Sequence, residues 1–170
     1  MKKILSVFFA LLFICASSLM VSCEKDDPAP NDQNNNTQTN DNAKLAGTSW
    51  NCQIEHAGSM QGVGYIVTLD ATLDFFDTEK GEMYQYAAVE FPSLPNYNQS
   101  TDMTSSFTFE LKGSKLTIHE TWVDDETGET VEGDSECIYD ESAESITMTF
   151  DDPDMLEMLG TNTYVFTKVK

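Results

Sequence analysis

Arginine is absent from this 170-residue sequence, and only nine lysines oppose 29 aspartates and glutamates, so the formal net charge is -20. A protein that grips a phosphate backbone needs a basic stripe to displace counterions, and this chain would repel a polyanion. Nucleic-acid binding is excluded. Without a guanidinium there is also no planar fork for bidentate recognition of phosphate or carboxylate. Histidine is almost as scarce, with only His56 and His119. No His-Glu-x-x-His pair, Gly-x-Ser-x-Gly elbow or glycine-rich phosphate loop occurs, which removes three common catalytic frameworks. The expectation is a protein without enzymatic activity and without a cofactor.

Long apolar runs are equally rare, and the one present opens the chain. Lys2 and Lys3 precede Ile4 to Val21, a stretch interrupted only by Ser6, Ser17 and Ser18 and followed by Ser22 and Cys23. A basic start, an apolar middle and small residues before a cleavage point make a secretory signal. The run is also long enough to span a bilayer as an anchor. Leu19-Met20-Val21-Ser22-Cys23 resembles the lipobox of bacterial lipoproteins, and the acidic Glu24-Lys25-Asp26-Asp27 behind it resembles the surface-export signal of Bacteroides-type lipoproteins. The resemblance implies that residues 1–22 are removed and that Cys23 carries palmitate-like acyl chains. The protein would then be an outer membrane lipoprotein facing the periplasm or the cell surface, since several chains anchor stably where one is marginal. Residues 23–43 contain Pro28, Pro30 and Asn34-Asn35-Asn36 but no aromatic residue. With nothing to offset the entropy of ordering, they read as a flexible tether with a reach on the order of 20 to 25 Å.

Residues 44–170 hold six lysines and 24 acids, a net of -18, and are long enough for one domain. The dominant periodicity is two. Trp50, Cys52, Ile54 and His56 alternate with polar residues, as do Tyr65, Val67, Leu69, Ala71, Leu73 and Phe75, the mark of half-buried antiparallel strands. Phe107, Phe109 and Leu111 continue across Lys112-Gly113-Ser114 into Leu116 and Ile118, a hairpin signal. Eight strands are expected, over 47–57, 62–77, 82–90, 103–112, 115–124, 130–140, 144–151 and 161–169. One short helix is expected over 153–159, with acids at its start and Gly160 as its stop. Strands in series with short turns predict an all-β, antiparallel, up-and-down barrel, which closes to remove its edges.

The opening Lys44-Leu45-Ala46-Gly47-Thr48-Ser49-Trp50 and the ending Thr163-Tyr164-Val165-Phe166-Thr167-Lys168-Val169 resemble the first and last strands of lipocalin-like (calycin-like) domains. That resemblance implies an eight-stranded barrel whose tryptophan closes one end and whose last strand pairs back to the first. An eight-stranded barrel lined by inward aromatics is wide enough to hold one small molecule, so the expected function is binding of a small apolar or amphipathic ligand, without catalysis. The alternative is a barrel filled by its own side chains that contacts another protein or acts as an inhibitor.

Candidate site residues follow from the inward phase. Trp50, Tyr65, Phe107, Trp122 and Tyr139 would line a cavity, with Glu120 as a desolvated carboxylate of raised pKa among them. The same aromatics could equally pack a solid core, and Glu120 could sit in a bulge or a wet barrel mouth. His56 shares the inward phase and could approach Glu120, whereas His119 falls on the polar face. Cys52 and Cys137 form an even pair in an exported domain. A disulfide would have to join non-neighbouring strands, so a cross-barrel bond and two buried thiols both remain open. A Cys-His nucleophile is disfavoured because apolar surroundings raise a thiol's pKa. The acidic turns Asp124-Asp125-Glu126 and Asp151-Asp152-Pro153-Asp154 lack the ligand spacing of a calcium loop, so no metal is expected. The connection 91–102, with Phe91, Leu94 and Tyr97, is the candidate lid or protein-partner patch.

Overall fold

The computed structural model describes residues 41–123, 128 and 130–169. The signal, Cys23, most of the tether and Asp124-Asp125-Glu126 lie outside the described residues. Eight strands follow in order: β1 (Thr48–Met60), β2 (Val63–Phe75), β3 (Lys80–Glu90), β4 (Gln99–Lys112), β5 (Lys115–Val123), β6 (Thr130–Asp140), β7 (Ser145–Thr149) and β8 (Thr163–Lys168). The single α-helix, α1, spans Pro153–Leu159. Each strand pairs antiparallel with its sequence neighbours, and β8 returns to β1, so the sheet is a closed up-and-down barrel. The architecture is compatible with a lipocalin-like fold.

Local chemistry sets the turns. β1 and β2 are joined through Gln61 and Gly62, both at positive φ (52° and 80°), as a two-residue turn matched to strand twist requires. Gly113, at φ 63°, opens the β4–β5 hairpin. Gly160, at φ 68°, ends α1, and its N–H donates to the carbonyl of Leu156 at 2.9 Å, a left-handed helix stop.

Alternation then places one face of every strand inside. Val67, Leu69, Ala71, Leu73 and Phe75 on β2 are buried, as are Leu116 and Ile118 on β5 and Tyr164 and Phe166 on β8. Phe75, Phe107 and Phe109 meet edge to face, with Phe75 4.8 Å from Phe109 and 5.4 Å from Phe107, a geometry that adds about 0.5–1.5 kcal/mol per pair to area burial. Twice an inward glycine faces an aromatic residue across a strand pair: Gly58 opposite Tyr65 and Gly81 opposite Phe107. A Cβ on Gly81 would lie 2.3 Å from the Phe107 ring and 2.5 Å from the Asp74 carbonyl oxygen. The ring therefore occupies the volume that the glycine leaves.

Several boundaries differ from expectation, and three of the differences bear on the site. β4 begins at Gln99 and not near 103, because Gln99, Thr101 and Met103 continue the inward phase while Ser100, Asp102 and Thr104 face out. Its polar composition concealed the alternation, and the 91–102 connection shrinks to 91–98. The described fold also takes in the turn Asp41–Lys44, which begins within the expected tether. Asn42 donates to the carbonyls of Thr78 (2.8 Å) and Phe109 (3.1 Å) and accepts from Leu111 N–H (2.7 Å), tying the first turn beneath the barrel. Finally, β7 and β8 are short, with 5 and 6 residues, and β6 pairs with β7 only over Cys137 to Asp140.

The Gly81 contact generates a measurable expectation. Gly81→Ala must push the Phe107 ring out of place and should destabilise the protein by about 1–3 kcal/mol, read as a lower urea midpoint with an unchanged slope. A midpoint equal to that of the parent would show that the interior has slack there.

Candidate functional site

The barrel has two unlike ends. At the closed end, where β1 starts and β8 stops, Leu45, Trp50, Phe75 and Leu111 are buried. Trp50 donates from Nε1 to Thr48 Oγ1 at 2.8 Å and meets Tyr139 edge to face at 6.0 Å. The other end, here called the mouth, is covered over β1 and β2 by α1, which buries Met155, Met158 and Leu159. Asp152 starts that helix: its carboxylate accepts from Met155 N–H at 3.4 Å and its carbonyl from Leu156 N–H at 3.3 Å. Tyr65 donates its hydroxyl to the carbonyl of Glu157 at 3.2 Å, and the His56 ring packs against Tyr65 and Gly160. Among the described residues, no group of His, Cys, Asp and Glu is arranged to hold a metal ion.

Beneath α1 lies a cavity of about 30 Å³, bounded by Val67, Leu69, Met103, Met155, Met158 and Tyr164 among others. That is room for about one or two waters, far below the several hundred Å³ of a small-molecule pocket. None of the six expected lining residues borders it. They divide into three places: Trp50, Phe107 and Tyr139 fill the closed end, Tyr65 supports α1, and Glu120 and Trp122 face the mouth. The reason is size, since the large inward rings cross the interior and occupy it. They do not enclose a shared space.

Glu120 is the unusual member. It lies on β5 in unbroken register between Phe107 on β4 and Gly133 on β6, so no bulge accommodates it. It is only 7% exposed, and its Oε1 has no hydrogen-bond partner. Burial pushes its carboxyl up to about 7, opposed in part by the Ser105 hydroxyl, which donates to the charged form. Ser105 and Gln85, the other buried polar residues, lie on the inward faces of β4 and β3, one diagonal step apart. Ser135 extends the run on β6. A polar diagonal, Gln85, Ser105, Glu120 and Ser135, thus crosses half of an otherwise apolar wall. The polar residues at 85 and 105 within an apolar phase were the sequence signal for it. Trp122, the next inward residue toward the mouth, is half-buried.

The remaining candidates separate. His56 and Glu120 stand on β1 and β5, four strands apart in a ring of eight, and make no hydrogen bond or ion pair with each other. His119 is exposed, 2.7 Å from Asp134 Oδ1. Cys52 and Cys137 are two separate buried thiols and not a disulfide, on β1 and β6, which are not adjacent. Burial, followed by the nearby charges of Glu120 and Glu136, pushes the Cys137 thiol up to about 12, and burial raises Cys52 as well. Neither is an activated nucleophile. No protein-family model matches the chain, and neither the curated proteins nor the solved structures contain a match. Strand order and site geometry alone define the class, a closed eight-stranded antiparallel barrel.

Glu120 makes stability depend on pH. Its folded-state value lies above its ordinary 4.5, so the folded protein holds the proton more tightly than the unfolded chain. That contribution is fully present below 4.5 and is lost as the pH rises through about 7. The loss is on the order of 3 kcal/mol. Urea titrations at about pH 5 and about pH 8 should show a steeper decline for the parent than for Glu120→Gln, with general acidic repulsion common to both. Equal declines would mean that Glu120 is not desolvated.

Proposed function

We propose that this protein is an exported lipoprotein, held to the outer membrane through acylated Cys23, whose barrel acts by contacting a protein partner and not by catalysis. The observation that carries the second part is the crowded interior, where the cavity beneath α1 has a volume of only about 30 Å³. The contact surface that fits is the 91–98 connection. Phe91 packs toward the core and donates its N–H to Asn98 Oδ1 at 2.8 Å, so the loop is pinned at its base. Its tip turns through Pro95–Tyr97 and presents Leu94 and Tyr97, 40% and 41% exposed. Anchors of this kind are favoured at interfaces because rigid apolar area is gained at little entropic cost.

A second reading, a small apolar ligand beneath α1, is supported by the position of the cavity. It requires Met155, Met158 and Leu159 to leave the interior. Native mass spectrometry of the protein with fatty acids, bile acids and haem separates the two. No retained ligand is expected, and a stoichiometric adduct would favour the second reading. Affinity capture should recover a partner that Leu94→Ser with Tyr97→Ser loses; identical recovered proteins would count against the loop. For the anchor, metabolic labelling with an alkyne-bearing palmitate should mark the parent and not Cys23→Ala. A labelled variant would overturn the lipidation.

A further inference from the structure

The barrel wall carries a buried carboxylate without a cation, and the described residues offer none nearby. Every described lysine is at the closed end. Lys80 starts β3, Lys112 and Lys115 flank the β4–β5 turn, Lys168 ends β8, and Lys44 lies beneath the barrel. Four of the five are engaged there: Lys44 with Glu141, Lys112 with Glu110, Lys115 with Glu136, and Lys168 over the Trp50 ring at 5.8 Å. The mouth end instead exposes Glu55, Glu90, Asp102, Glu132 and Glu157. Acids are exposed at the closed end too, among them Asp77, Glu79, Asp140, Glu141 and Glu144, but the described lysines offset them only there, so the mouth draws cations toward it.

Toward the mouth, the wall beside Glu120 is less deeply buried. Thr101 and Met103 on β4, Trp122 on β5 and Val131 and Gly133 on β6 all face inward yet remain partly exposed. Gly133, directly across from Glu120, contributes no side chain to block the approach. A buried carboxylate with an unsatisfied oxygen is costly unless it meets a proton or a cation, and an aromatic face one step above it favours the same charge. We propose that the mouth between β4 and β6 receives an alkylammonium group, which pairs with Glu120 Oε1 while its carbon stem lies along Trp122. The group comes either from a lysine side chain of a partner or from a small free amine. A single ammonium needs little volume, so the site is compatible with an interior too full for a lipid. It is a different surface from the 91–98 loop and stands or falls separately from it.

The test follows the Trp122 indole signal of the whole protein by heteronuclear NMR at about pH 8, where Glu120 is mostly charged. n-Butylamine should shift the signal saturably, whereas n-butanol should not. Glu120→Gln should weaken amine binding at least about tenfold, and Trp122→Leu, followed through the Gly133 amide, should weaken it several-fold. Circular dichroism and thermal midpoints establish that both variants remain folded. To identify the source, a lysine-containing extended peptide is compared with its Nε-acetylated form. Discrimination between the two supports a protein lysine, and butylamine binding without peptide binding supports a free amine. Equal responses to butylamine and butanol, or equal amine affinity of the parent and Glu120→Gln, would overturn the proposal.

Discussion

Closure of the sheet is the constraint on which the rest of this molecule depends, and it rests on very little ladder. β1 pairs with β2 along its whole length, from Thr48 to Met60, but meets β8 only through Trp50 with Lys168 and Asn51 with Thr167. The Val169 N–H donating to Ser49 at 2.8 Å extends the seam by one bond. Without this seam, β1 and β8 would be open edges and the inward faces of all eight strands would lose their enclosure. The seam is reinforced from inside. Trp50 is 1% exposed, Leu45 is fully buried, and the Lys168 ammonium lies over the Trp50 ring, 5.8 Å from its centre. A short ladder suffices because the apolar interior can be satisfied only when the ring is shut.

Much of this architecture was legible in the residues. Alternation in β2 is nearly perfect from Tyr65 to Phe75, and Gly113 and Gly160 mark a turn and a helix stop by chemistry that only a few residue types provide. The start of β4 was hidden because Thr101 and Met103 carry its inward phase among serines, threonines and an aspartate. Asn42 was hidden for another reason. Its value lies in three hydrogen bonds to distant backbone, and composition alone placed it with the asparagines of the tether. The inward phase of Glu120 was readable, whereas its isolation was not, since that depends on which strands lie across the barrel from it. The aromatics were also assigned to the correct face. Whether they enclose a space or fill one is a question of ring orientation, and pairs such as Gly81 with Phe107 answer it in favour of filling.

The wall is uneven in chemistry and in height. β1 to β6 are tall, whereas β7 and β8 reach only partway, and α1, which connects them, covers the mouth over β1 and β2. On the tall β3–β6 side, the polar diagonal from Gln85 to Ser135 interrupts the apolar lining. The two halves of the barrel have thus divided the work. β1, β2, β8 and α1 form an apolar block with Met155, Met158 and Leu159 at its centre. β3 to β6 carry the groups that respond to charge.

The asymmetry of the ends also orients the molecule. Both Asp41, where the described chain enters, and Lys168, near where it ends, lie at the closed end, because an even number of strands returns the chain to its starting side. Any tether preceding residue 41 therefore grips the barrel by its lysine-bearing base. The acidic mouth, with Trp122 and Glu120 inside it, lies at the opposite end of the barrel from residue 41.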